Sequence, residues 1–120
     1  MKSDKVFIDR YRILNWIPEN PSGNVEGTQR SVDLMVNLLD EHGEMNILVD
    51  LSKADRPTAE QRKVIVNALR SYLKKIKKVA IFGQTPLMKA VSYFIIHAAG
   101  YSNTRFFDSR NKAEAWLREA

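Results

Sequence analysis

The sequence predicts a mixed α/β fold: a mostly parallel sheet with an antiparallel hairpin at its N-terminal side and about four helices. Three observations lead there. Two short, nearly continuous apolar runs, Ile47-Leu48-Val49 with Leu51 and Val79-Ala80-Ile81-Phe82, read as strands buried on both faces of a sheet covered by helices. Each run ends at a turn signal and leads into a stretch of helical period, and such alternation implies parallel pairing through right-handed crossovers. Ahead of the first helix, Val6-Phe7-Ile8 and the run from Tyr11 to Ile17 flank Asp9-Arg10, which is hairpin spacing.

From Pro18 to Gly27 the chain holds two prolines and two glycines, so a loop is expected there. Thr28 can cap the helix that follows, on which Val32, Met35, Val36 and Leu39 fall at helical spacing and which Gly43 stops. Asp50 and Ser52 close the central strand. Pro57 forbids a helix before it, and Thr58 with Gln61 has capping-box spacing for the next one. That helix carries Val64, Ile65, Ala68, Leu69, Tyr72, Leu73 and Ile76 on one face, with Arg62, Lys63, Asn67, Arg70, Ser71, Lys74 and Lys75 on the other. Gly83 ends the second interior strand, and Thr85-Pro86 is a cap and first-position pair for a helix running to Ala99, before Gly100. Thr104-Arg105-Phe106-Phe107 reads as a last strand. Asp108 or Ser109 caps a final helix whose Ala113, Trp116 and Leu117 face inward.

The 120 residues fit one domain, residues 1–120, of a size that buries roughly two-thirds of its unfolded surface. With 44% hydrophobic and 28% charged residues the chain is far from the signature of disorder. The absence of cysteine excludes disulfides, thiolate metal sites and cysteine nucleophiles. The N-terminus, Met-Lys-Ser-Asp-Lys, is interrupted by charge and has no signal-peptide core, so a cytoplasmic protein is expected. Ala90–Ala99, the longest apolar stretch, falls well short of the roughly 20 residues of a bilayer span, and no transmembrane segment is expected.

The order of elements, together with the segments from Leu39 to Ser52, Lys78-Val-Ala-Ile-Phe-Gly, and Arg105-Phe-Phe-Asp followed by Ala115-Trp-Leu, resembles the SpoIIAA-like family, the STAS/SEC14-type domains. The resemblance runs from about Thr28 onward, with the hairpin matching in pattern alone. It implies a small cytoplasmic domain, related in fold to anti-sigma-factor antagonists and to lipid-carrying SEC14 domains. Anti-sigma-factor antagonists carry a phosphorylatable serine in an Asp-Ser-Ser-Gly motif after the central strand. In this chain that motif falls on Pro57-Thr58-Ala59-Glu60, where Ala59 takes the serine's place and no glycine follows. The resemblance therefore implies a regulatory domain without the serine phospho-switch, and Thr58 reads as a helix cap.

Reactive groups are sparse. His42 stands before a helix-ending glycine, and His97 lies inside the apolar third helix, where a partly buried histidine is the commoner outcome. Two isolated histidines make no metal site, and no metal, cofactor or catalytic residue is expected. Asp50 and Asp55 flank the carboxyl end of the central strand, the edge where open α/β sheets bind ligands; the alternative is that they cap turns or pair with Arg56 or Arg105. No glycine-rich dinucleotide or phosphate loop occurs. The formal charge of +5 favours anionic surfaces without identifying one, and the run Lys74-Lys75-Ile76-Lys77-Lys78 lacks interleaved aromatics, so it reads as a solvated helix end rather than a nucleic-acid site.

The third helix is apolar nearly all round. Leu87, Val91, Phe94, Ile95 and Ala98 are expected to cover the core, leaving Met88, Tyr93, Ile96 and Ala99 on flanks that call for a second partner. Neighbouring helices, another subunit, and a lipid or other apolar small molecule are the three alternatives. Met88, Ser92, Tyr93, Ile96 and His97 are the expected ligand or partner surface, and Asp50, Asp55, Thr58 and Thr85 mark the strand-end and helix-cap region. The functional expectation is a non-enzymatic domain acting through a protein partner or self-association, with an apolar-ligand carrier as the alternative.

Overall fold

The computed structural model describes residues 2–119. Five strands, β1 (Lys5–Ile8), β2 (Leu14–Ile17), β3 (Met45–Asp50), β4 (Ile76–Phe82) and β5 (Thr104–Phe106), lie side by side in chain order. β1 pairs antiparallel with β2, Lys5 opposite Ile17. β2 to β5 are parallel, with Leu14 opposite Ile47, Ile47 opposite Val79 and Val79 opposite Thr104. The helices are α1 (Val25–His42), α2 (Ala59–Ser71), α3 (Pro86–Ala99) and α4 (Arg110–Leu117). The mixed sheet, its N-terminal hairpin and the four helices are those the sequence predicts.

Sequential parallel strands joined by crossovers of one hand put every crossover helix on the same face. α1, α2 and α3 accordingly share one side, where Leu14, Ile47, Val49, Val79 and Ile81 meet Leu39 and Met88. The other face would stand bare without α4, which turns back onto β3 and β4 and brings Ala113 and Leu117 against Ile13, Leu48, Ala80 and Phe82. β3 and β4 are thus buried on both sides, as their unbroken apolar runs require.

Three boundaries differ from expectation. α1 starts at Val25, because Asn24 rather than Thr28 is its cap: the Asn24 side chain accepts from the Gly27 N–H at 3.0 Å. Gly27 belongs to the first helical turn, not to the loop, and a Cβ there would stand 2.7 Å from the Asn20 amide, so the glycine permits a close approach. α2 ends at Ser71, and a 3-10 turn, Leu73–Lys75, leads into β4 at Ile76. Ile76 is therefore a strand residue opposite Met45, where the sequence places it on the helix.

The register then shifts, with Lys77 and Lys78 standing against Asn46, so the basic run is split by a bulge instead of forming a helix end. Lys78 turns to α4, where its Nζ donates to the Trp116 carbonyl at 2.7 Å and the Glu119 carbonyl at 3.2 Å. Asn46 Nδ2 donates to the Leu117 carbonyl at 2.7 Å. The carbonyl end of α4 thus receives a cation and an amide.

Gly100, in the left-handed region at φ 78°, ends α3, and the chain turns so that the Tyr101 hydroxyl donates to the Lys77 carbonyl at 3.1 Å. Burial pushes the Tyr101 phenol up to about 12. A raised folded-state value favours folding while the group is neutral, so this contribution is complete below pH 10 and is lost as pH rises from about 10 to about 12. Tyr101→Phe is expected to flatten the fall of stability over that window relative to the parent, as read from urea midpoints at successive pH values.

Candidate functional site: an apolar cavity with one polar end

A cavity of about 160 Å³ lies between the sheet and the three helices that share its face. Its floor is Ile47, Val49, Val79 and Ile81, the side chains of β3 and β4 that alternate toward that side. α1 contributes Val32, Met35 and Leu39, α2 contributes Ile65, Ala68 and Leu69, and α3 contributes Met88, Ile95 and Ile96. Its walls are mostly aliphatic.

Beside Leu39 and Ile76 the lining includes Tyr72. The Tyr72 hydroxyl donates to Asp40 Oδ2 at 3.1 Å, and Lys75 Nζ meets Asp40 Oδ1 at 3.1 Å. These two bonds, Lys75 first, hold the Asp40 carboxyl below its ordinary range, while burial and the Asp40 bond raise the Tyr72 phenol. The phenol oxygen is thereby engaged outside, and the ring is left to face the cavity.

The opposite end lies at the carboxyl edge of the parallel strands and is polar, lined by Asp4, Asn20, Thr28, Asp55 and Gln61. Gln61, 3% exposed, knits it together. Its Oε1 accepts from the Gly23 N–H at 2.9 Å and the Thr58 N–H at 2.8 Å. Its Nε2 donates to the Pro21 and Asn24 carbonyls, both at 3.3 Å, and to Thr28 Oγ1 at 3.1 Å. The capping box is thus also the anchor of the loop before α1. Asp4 accepts from Trp16 Nε1 and from the Glu19 and Asn20 N–H groups. Asn20, 8% exposed, keeps its side-chain Nδ2 buried without a hydrogen-bond partner. No lysine, arginine or histidine is among the lining residues.

Of the residues singled out in the sequence, Met88, Ser92, Ile96 and Asp55 line the cavity. Tyr93 and His97 are on the outer side of α3. Thr58 is occupied in its capping box with Gln61, and Thr85 Oγ1 accepts from the Met88 N–H at 3.2 Å. Asp50 pairs with Arg110 at 3.3 Å and accepts from the Ser52 N–H, whereas Arg105 lies over the Trp116 ring. Among the described residues, no three His, Cys, Asp or Glu side chains gather as metal ligands. Nor is any described helix long and apolar enough to cross a membrane.

α3 is turned relative to expectation. Leu87 and Phe94, assigned to the core, are 51% and 62% exposed, while Met88, Ile95 and Ala99 are buried. Both sets recur at helical spacing, so period alone cannot choose between them. Ser92 falls within the inward set, where the cavity accommodates it. Asp4 and Asn20 were not visible as site residues in the sequence: they meet only when β1 pairs with the end of β2.

A family model described as SpoIIAA-like matches residues 24–118. No curated protein matches the chain. Among solved structures, the chain is similar to one from Shewanella loihica PV-4, described as an uncharacterized protein from the DUF3478 family with a SpoIIAA-like fold. The two share 19% identity with a TM-score of 0.77, over 96% of this chain and 94% of that one. At that identity the likeness shows the fold alone.

Proposed function

Because this chain belongs to the SpoIIAA-like family, we propose that it is a non-catalytic cytoplasmic binding domain that takes up a small apolar molecule beneath α1, α2 and α3. The apolar cavity of about 160 Å³ carries this reading. Its volume sets the size of the guest: an engineered cavity of roughly 150 Å³ in another protein accepts benzene. A molecule of about one ring or a short branched chain fits, and a whole membrane phospholipid does not. Serine phosphorylation has no place in the reading, since Ala59 stands where the switch serine of anti-sigma-factor antagonists falls and the neighbouring Thr58 hydroxyl serves its capping box.

Ala68→Phe tests the reading by putting a ring into the cavity from α2. The variant is expected to gain about 1 kcal/mol in urea unfolding, the usual return of cavity filling. Organic extracts of the purified parent should contain a small apolar compound at near one per chain by mass spectrometry, and extracts of the variant should lack it. Identical extracts from the two proteins would overturn the reading.

Contact with a protein is a second reading with its own support. Leu87, Tyr93 and Phe94 stand more than half exposed on the outer side of α3. Single apolar residues are ordinary on surfaces, whereas a cluster on one helix marks an interaction site. Self-association through it predicts a dimer in sedimentation that Phe94→Glu dissolves; a monomeric parent contradicts self-association.

A further inference from the structure

We propose that the outer side of α3 docks the protein onto a bilayer that carries anionic lipid. The inference uses that exposed face and not the cavity, so its failure leaves the cavity reading untouched. On α3, Leu87 is 51%, Tyr93 66% and Phe94 62% exposed, and Ala90 and Ala98 are exposed with them. Helical spacing gathers these side chains into one strip along the helix, Leu87 and Phe94 standing two turns apart on the same line. No acidic residue of α3 interrupts it. A cation borders the strip on either flank: Lys89 Nζ lies 5.4 Å from the centre of the Phe106 ring, toward β5, and Arg70 Nη2 reaches from α2 to the Ala98 carbonyl at 2.8 Å. Lys63, exposed two turns before Arg70, extends the α2 flank.

The charge of the chain is divided to match. From Gln61 to Phe107 there are nine lysines and arginines and no aspartate or glutamate, so all 14 acidic residues lie in the rest of the chain. Lys75, Lys78 and Arg105 are turned to other partners: Asp40, the end of α4 and the Trp116 ring. Among the described residues, none of Lys63, Arg70 and Lys89 makes an ion pair. A second copy meeting this face with its own would set like charge against like charge. A protein partner also has to offer a groove to a convex helix, whereas lipid is fluid and needs none. On a bilayer, Leu87 and Phe94 enter the acyl boundary, Tyr93 sits at head-group level, and the cations meet the anionic head groups.

Sedimentation of the full chain with two kinds of vesicle tests this, one of phosphatidylcholine alone and one of equal parts phosphatidylcholine and phosphatidylglycerol. The chain is expected to pellet with the mixed vesicles and to stay in solution with phosphatidylcholine. Raising salt from about 0.1 M to about 1 M, which shortens the screening length from about 10 Å to about 3 Å, should release it. Arg70→Gln and Lys89→Gln should each weaken binding about fivefold, the ratio that corresponds to about 1 kcal/mol for one cation at an anionic surface. Leu87→Ser and Phe94→Ser leave the charge unchanged and should each weaken it about tenfold, as the loss of one partly buried apolar side chain does. Leu34→Ser, on the outer side of α1, should change nothing. Should a variant fail to fold, nitroxide-labelled phosphatidylglycerol in bicelles gives the same test on the parent, broadening the resonances of Leu87 and Phe94 and sparing Leu34. Equal sedimentation with the two vesicles, whether bound or free, would overturn the proposal, as would binding that Leu87→Ser and Phe94→Ser leave intact. So would a dimer that Phe94→Ser dissolves, or tighter binding of duplex DNA or polyglutamate than of the mixed vesicles.

Discussion

Gln61→Ala is expected to lower the free energy of unfolding by about 3 kcal/mol, read as a lower urea midpoint with an unchanged slope. The side chain makes five hydrogen bonds in a buried position. Its loss strands the Gly23 and Thr58 N–H groups, while the Pro21 and Asn24 carbonyls keep the bonds they accept from the Asn24 and Thr28 N–H groups. Thr58→Ala removes one bond of the same box and is expected to cost only about 1 kcal/mol. Gln61→Glu keeps the two acceptor bonds but turns a carboxylate toward the Pro21 and Asn24 carbonyls. Its folded-state carboxyl is therefore raised, and the variant is expected to recover stability as pH falls and the group takes up a proton.

Leu48→Ala is expected to cost about 3 kcal/mol through an unrelated mechanism, the opening of a cavity on the α4 face. Leu48 is 1% exposed in the middle of β3, packed with Ile13, Ala80 and Leu117. α4 supplies little cover, so the neighbours have few ways to collapse into the space. Leu34→Ala, on the outer side of α1 at 44% exposure, is expected to fall within about 0.5 kcal/mol of the parent. The pair separates burial from hydrophobicity as such, again in urea.

What can be read from the chain divides along the range of the interactions. β3, β4 and the start of α2 are legible because their signals are local: unbroken apolar runs, and a threonine three residues before a glutamine. The start of α1 is not, since Gly27 looks like a loop residue until Asn20 is seen against it. α3 is legible as a helix but not in its orientation, because Leu87 with Phe94 and Met88 with Ile95 both recur at seven residues, and only the packing against β4 and α2 selects the second pair. The break at Ile76 is hidden for a similar reason: an apolar residue at helical spacing from Tyr72 is equally a strand residue facing Met45. The cavity is the least legible feature. Its apolar walls resemble an ordinary core in sequence, and its polar end joins Asp4, Asn20, Asp55 and Gln61 from four separate segments.

Open apolar space between the sheet and the three helices is the feature on which the functional reading stands. A crystal of the protein pressurised with xenon tests it most directly: apolar, accessible space binds the gas, and space filled by side chains or ordered water does not. A xenon atom between Ile47, Val79 and the inner faces of α1, α2 and α3 is the predicted result. A crystal without xenon there, with the side chains closed over the floor or with ordered water in the space, would contradict it.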